Sequence, residues 1–130
     1  VRISRFKLLQ ILYWCVLKYG INEEQYNYPD LKIHYSKEFA LKRYKPYDPD
    51  NLFGILNIKG EYDDLDNVIH IYTWANVSLE DYCQTMIHEY QHYLEKENSS
   101  IKESKLEKKA EIIAQKDYLV CLKELEFLPK

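Results

Sequence analysis

The segment 78–96 limits the possible folds more than any other part of the chain. Leu79, Tyr82, Cys83, Met86, Ile87, Tyr90, Tyr93 and Leu94 recur at three- and four-residue spacing. That spacing predicts a helix with one apolar stripe, and such a stripe must be covered by other elements. Ser78-Leu79-Glu80-Asp81 supplies the start. It resembles a capping box with Asp in place of Glu, in which the serine oxygen and the acid satisfy amide groups that the first turn leaves unpaired. The rest of the chain has to build the layer on which this stripe packs.

Residues 3–19 read as a first helix, with Ile3, Phe6, Leu9, Tyr13, Val16 and Leu17 as its inward face and Gly20 as the stop signal. Residues 31–35 suggest a short strand. Residues 44–51 contain Pro46 and Pro49 and read as loop. Residues 52–59 and 68–75 read as strands joined by an acidic turn at 60–67. In the second of these, Val68, His70, Tyr72 and Trp74 alternate with Ile69, Ile71 and Thr73. A polar loop at 97–100 leads to a last helix, 101–127, opened by a second capping box, Ser100-Ile101-Lys102-Glu103, and stopped before Pro129. The expected architecture is therefore α+β in one domain, 1–130: an N-terminal helix, a small three-stranded sheet, then two helices.

Composition excludes several classes. With 46% hydrophobic and 30% charged residues and only 3 Gly and 4 Pro, the chain can form a packed core and is neither a disordered tail nor a collagen-like repeat. The net charge of −3 provides no basic footprint, so no nucleic-acid partner is expected. The longest apolar run, 8–17, is interrupted by Gln10 and is too short to span a bilayer, so no membrane partner is expected. Arg2, Arg5 and Lys7 precede that run, but no small-residue cleavage site follows it. Cys15, Cys83 and Cys121 lie far apart and form no CxxC pair, which excludes a zinc finger or a thioredoxin-like motif. Buried thiols in a reducing compartment fit better, and with them a cytoplasmic location. Thirteen tyrosines supply much of the apolar surface through rings that keep one polar tip.

The chemistry is carried by His88-Glu89-Tyr90-Gln91-His92, an HExxH pattern on the predicted 78–96 helix. Histidines four apart leave the same helix face about one turn apart. Two imidazole nitrogens can then reach one tetrahedral zinc at roughly 2.0–2.1 Å each. Glu89 is rotated about 100° from His88, so it can lean over the metal's open side without ligating it. Both histidines project away from the apolar stripe, a placement that also suits two solvated side chains. A third ligand has to decide between these readings, since a catalytic zinc normally has three protein ligands and a water.

The last helix offers two carboxylates. Glu107 and Glu111 share a stripe with Ala110, Ala114, Tyr118, Cys121, Leu122 and Leu125, within about 60° of Glu107 on a helical wheel. A buried carboxylate there is costly unless it is paired or coordinates a metal. The bland alternative is a surface pair balanced by Lys105, Lys108 and Lys109.

The motif His88-Glu89-x-x-His92 followed by Glu107-x-x-Ala110-Glu111-x-x-Ala114 looks like that of the gluzincins, zinc metallopeptidases whose third ligand is a Glu on a later helix. It is similar to the minimal versions among the ImmA/IrrE-type and bacteriophage zincin-like peptidases, over residues 68–122. The resemblance implies a minimal zincin-like domain with zinc held by His88, His92 and Glu107. It also implies Glu89 as general base toward a zinc-activated water and a peptide or protein as substrate. Glu111 would then stand behind a ligand histidine, and the register with Glu111 on the metal remains as the alternative. Strand 68–75 resembles the edge on which zincins lay an extended substrate, which would put Trp74, Ala75 and Asn76 in the cleft. Tyr118 fits core better than an oxyanion role, and His34 and His70 are expected to take no part in the site. A second function class keeps the zinc site and loses the catalysis, leaving an inactive zinc-binding adaptor.

Overall fold

The computed structural model describes residues 3–24, 27–44, 58–96 and 102–126. Helix α1 (Arg5–Tyr19) leads into strand β1 (Asp30–His34) and helix α2 (Lys37–Tyr44). Strands β2 (Gly60–Asp63) and β3 (Val68–Tyr72) follow, then a 3-10 turn (Thr73–Ala75), helix α3 (Leu79–Leu94) and helix α4 (Glu103–Glu124). The class is α+β, with four helices and one three-stranded mixed sheet among the described residues. No helix among them is long and apolar enough to cross a membrane.

Helix α3 is the centre of the packing. Its predicted stripe is the buried one: Tyr82, Cys83, Met86, Ile87, Tyr90 and Tyr93 are fully covered. Large side chains of this kind each stabilise a fold by about 1.5–3 kcal/mol on burial. The start keeps half of the expected capping box, with the acid reaching the amide before Ser78 instead of that of Ser78 itself. Ser78 Oγ accepts the Asp81 amide at 3.1 Å, and Asp81 Oδ2 accepts the Val77 amide at 2.9 Å. The tyrosine tips do not stay idle. Tyr93 Oη accepts the Asn22 amide at 2.9 Å and donates to the Asn27 carbonyl at 2.8 Å, so one ring fills the core and ties down the chain after α1.

Helix α1 ends at Gly20 as expected; its φ of +80° is one that a side chain would strain. Its inward face matches the sequence expectation only in part: Ile3 is buried, and Leu9 and Val16 pack against the core. Leu8, Ile11, Leu12 and Cys15 are buried, whereas Phe6 is 70% exposed and Leu17 88% exposed. Residues 8–17 are apolar almost all round, so spacing alone could not choose the face. Trp14 Nε1 donates to Glu124 at 2.7 Å and Tyr19 Oη to Asp117 at 2.6 Å, fastening α1 to α4.

In the sheet, β3 is central, parallel to β1 and antiparallel to β2. Leu31, Ile69 and Ile71 face the core shared with α1 and α3, and Tyr62 packs against it. The alternation expected for β3 holds from Val68 to Tyr72, but the strand ends there. Asn76 Nδ2 donates to the carbonyls of Tyr72, at 2.8 Å, and Lys59, at 3.0 Å, turning the chain toward α3. Strand β2 occupies the first half of the segment expected to be a turn. Asp63 Oδ1 closes the true turn by accepting the amides of Leu65, at 3.0 Å, and Asp66, at 3.2 Å. Of the strand expected at 52–59, residues 52–57 lie outside the described residues, and Ile58 and Lys59 are not strand. The proline-containing loop (45–51), the polar loop (97–100) and residues 127–130 also lie outside them. Helix α4 is capped at Lys102 and starts at Glu103, two residues later than the second capping box implied. Helix α2 was not foreseen. Its signal is Ser36, whose Oγ accepts the Phe39 amide at 3.2 Å as an N-cap.

Candidate metal centre

Helices α3 and α4 pack closely because Ala110 and Ala114 are buried at their contact, as their small size suggested. This brings the HExxH face of α3 against the glutamates of α4. One ligand atom each from His88, His92 and Glu107 falls within 4.8 Å of the other two, so the three side chains could hold a metal ion. His88 Nε2 lies 3.0 Å from Glu107 Oε2, and His92 Nε2 lies 2.7 Å from Glu107 Oε1. Both rings therefore turn the same nitrogen toward one carboxylate. On the far side of His88, Nδ1 lies 3.1 Å from Glu111 Oε2. Of the two carboxylates, Glu107 is the one both histidines share.

The histidine side chains are only 16% and 18% exposed, so they are not the solvated pair that an outward face allowed. The glutamates are not buried, however. Glu107 and Glu111 are 55% and 57% exposed at the rim, so no burial cost demands a partner for either carboxylate. The contacts of His88 with both glutamates satisfy that side of the cluster without any ion. His92 separates the two cases. Its Nε2 is buried and, despite the 2.7 Å separation, its direction makes no hydrogen bond to Glu107. A buried ring nitrogen without a hydrogen-bond partner, close to a carboxylate and a second imidazole, belongs to a donor set suited to a cation.

Glu89 points into the same cleft and is buried. Burial drives its carboxyl up to about 7, helped by Glu107 and Glu61, while His88 and the backbone amide of Tyr62 pull it the other way. Tyr62 is on β2, so the sheet edge itself holds this carboxylate. Gly60 lets the edge come that close. A Cβ there would lie 2.6 Å from Thr85 Cγ2 and 3.4 Å from Glu89 Cγ.

The open space beside these residues is a cleft of ≈ 910 Å³ between β2, α3 and α4. Its strand wall is β2, the edge of the described sheet, and not the 68–75 segment. Trp74, Ala75 and Asn76 do not line it, because β3 is central and the 3-10 turn carries these residues away. Tyr118 packs against the core instead of the cleft, as expected. His34 and His70 sit across the sheet, bonded to each other at 2.8 Å. The three cysteines are buried, with the Cys15 thiol raised by burial and that of Cys121 by its hydrogen bond with Cys83.

Sequence reasoning missed Gly60, Tyr62, Gln84 and Gln115. The two glutamines were findable, being one helical turn before His88 and after Glu111. No protein-family model, curated protein or solved structure matches the chain significantly.

Proposed function

We propose that the chain is a zinc-dependent metallopeptidase of the gluzincin kind, with His88, His92 and Glu107 as ligands and Glu89 as general base. The observation that carries this reading is the shared orientation of the two histidines toward Glu107, with a buried carboxylate next to them in an open cleft. The donor set of two imidazoles and one carboxylate suits zinc and matches the ligand count of a catalytic site. A zinc ion held there supplies the Lewis acidity that activates water and polarises a carbonyl.

The chain's own residues do the rest. Glu111 accepts the Nδ1 proton of His88, fixing the tautomer that leaves Nε2 as donor to the metal. Glu89, next to His88 in sequence but pointing to the strand side, takes a proton from the attacking water and returns it to the leaving amine. The Tyr62 amide orients that carboxylate. The cleft admits an extended peptide alongside β2, whose outer side faces the site.

The test is hydrolysis of a fluorogenic peptide library by the zinc-loaded chain and its Glu89→Gln variant. Cleavage that disappears in a variant still holding one zinc supports the reading. Zinc retained by the wild type with no cleavage, and no binding of a hydroxamate, would make the protein an inactive zinc-binding adaptor.

A further inference from the structure

Glu107 and Glu111 stand one turn apart on the same face of α4 and are equally exposed, so the helix backbone alone does not assign their roles. The difference lies in what surrounds Glu111. Its Oε2 meets His88 Nδ1 at 3.1 Å, and its Oε1 accepts a hydrogen bond from Gln115 Nε2 at 2.9 Å. The same Gln115 nitrogen also donates to Gln84 Oε1 at 3.3 Å. Four side chains thus form a rectangle across the α3–α4 contact, with Gln84 and His88 one turn apart on one helix and Glu111 and Gln115 one turn apart on the other.

We propose that Gln115, oriented by Gln84, is a positioning residue that holds Glu111 on His88 and thereby keeps His88 Nε2 available to the metal. This rests on the metal-centre reading given above. Donor chemistry makes the case. A carboxylate has only acceptors, so its second oxygen needs a donor to keep it in place. A primary amide has two N–H groups on one nitrogen, one for Glu111 and one for Gln84. The acceptor-only Glu111 requires the NH2 end of Gln115, not its oxygen, and Gln84 Oε1 takes the second N–H and so steadies that orientation. With both oxygens engaged, Glu111 stays off the metal and serves only as the acceptor for Nδ1. Outer partners of this kind govern metal affinity by holding a ligand ring in one tautomer and one orientation.

The proposal is tested by zinc affinity, measured by competition with a chromophoric chelator for the full chain and three variants at the exposed Gln115. Gln115→Met keeps the length and loses the donor. Gln115→Glu replaces the donor with a repelling acceptor. Gln115→Lys keeps a donor. The expected order is Lys close to wild type, Met weaker by about 3–10-fold, as for loss of one hydrogen bond, and Glu weaker still. Thermal stability of the zinc-free chain should not follow this order. In the zinc-loaded chain the nitrogen-15 shift of His88 Nδ1 should move away from that of an N–H bonded to a carboxylate in the Met variant. Wild-type affinity in Gln115→Met, or an equal loss in Gln115→Lys, overturns the proposal and leaves the metal centre intact. A wild-type chain that takes up no zinc overturns the metal centre itself, and this proposal with it.

Discussion

Two pairs of histidines in this chain have almost the same ring separation: 5.1 Å between centroids for His34 and His70, and 5.2 Å for His88 and His92. Their chemistry differs because their nitrogens point differently. In the sheet, His34 Nε2 and His70 Nδ1 bond to each other at 2.8 Å, and Tyr72 stacks on His34 at 4.8 Å. Each ring there is the other's partner, and the pair fastens β1 to β3. On α3 neither ring bonds the other. Both turn Nε2 to Glu107. Proximity of histidines therefore says little; a metal centre needs ring nitrogens that share a third point.

The comparison breaks most directly at the rings themselves. His88→Ala or His92→Ala should abolish tight zinc binding, since two remaining ligands are too few for a stable site. His34→Ala should leave one zinc per chain. It should lower stability by about 1–3 kcal/mol in urea unfolding, because His70 loses its buried partner. Zinc lost from His34→Ala while the fold stays intact would erase the distinction.

Glu89 tests the electrostatics of the α3 side. In the folded chain its carboxyl lies at about 7, raised by burial from an ordinary 4.5, so the fold prefers the protonated form. Stability from this group is full below about pH 4.5 and is lost as pH rises through 7. The loss amounts to about 3 kcal/mol. With chelator present, wild type should weaken between pH 4 and 8 by that much more than Glu89→Gln. Parallel urea midpoints for the two chains across that range would contradict the assignment.

Smaller effects sharpen the same contrast. Glu111→Ala should weaken zinc binding about 10–100-fold without abolishing it. Gly60→Ala should destabilise by about 1–3 kcal/mol through overpacking against Thr85. Thr85→Ser, which keeps the hydroxyl bonded to Asn76 and removes the methyl, should recover part of that loss in the double variant.

How much of this the sequence could reveal depended on whether one pattern had one solution. The α3 stripe was legible because its apolar residues occupy one side only, and the HExxH face followed from it. The α4 partner was legible through Ala110 and Ala114, which permit close approach. The face of α1 was not, because residues 8–17 are apolar nearly all round and only packing chose Leu8, Ile11 and Leu12. Strand β2 was hidden by Gly60-Glu61-Tyr62-Asp63, which reads as a turn until the contact with Thr85 makes a glycine necessary. Between Glu107 and Glu111 helical spacing allows either, and only the motif resemblance favoured Glu107; that His88 turns Nε2 to Glu107 and Nδ1 to Glu111 shows only in three dimensions.

Zinc per chain, measured by elemental analysis after dialysis against zinc-containing buffer, tests the central claim most directly. About one zinc in the wild type, absent in Glu107→Ala and present in His70→Ala, is the result this account predicts. A zinc-free wild type, or zinc retained in full by Glu107→Ala, would contradict it.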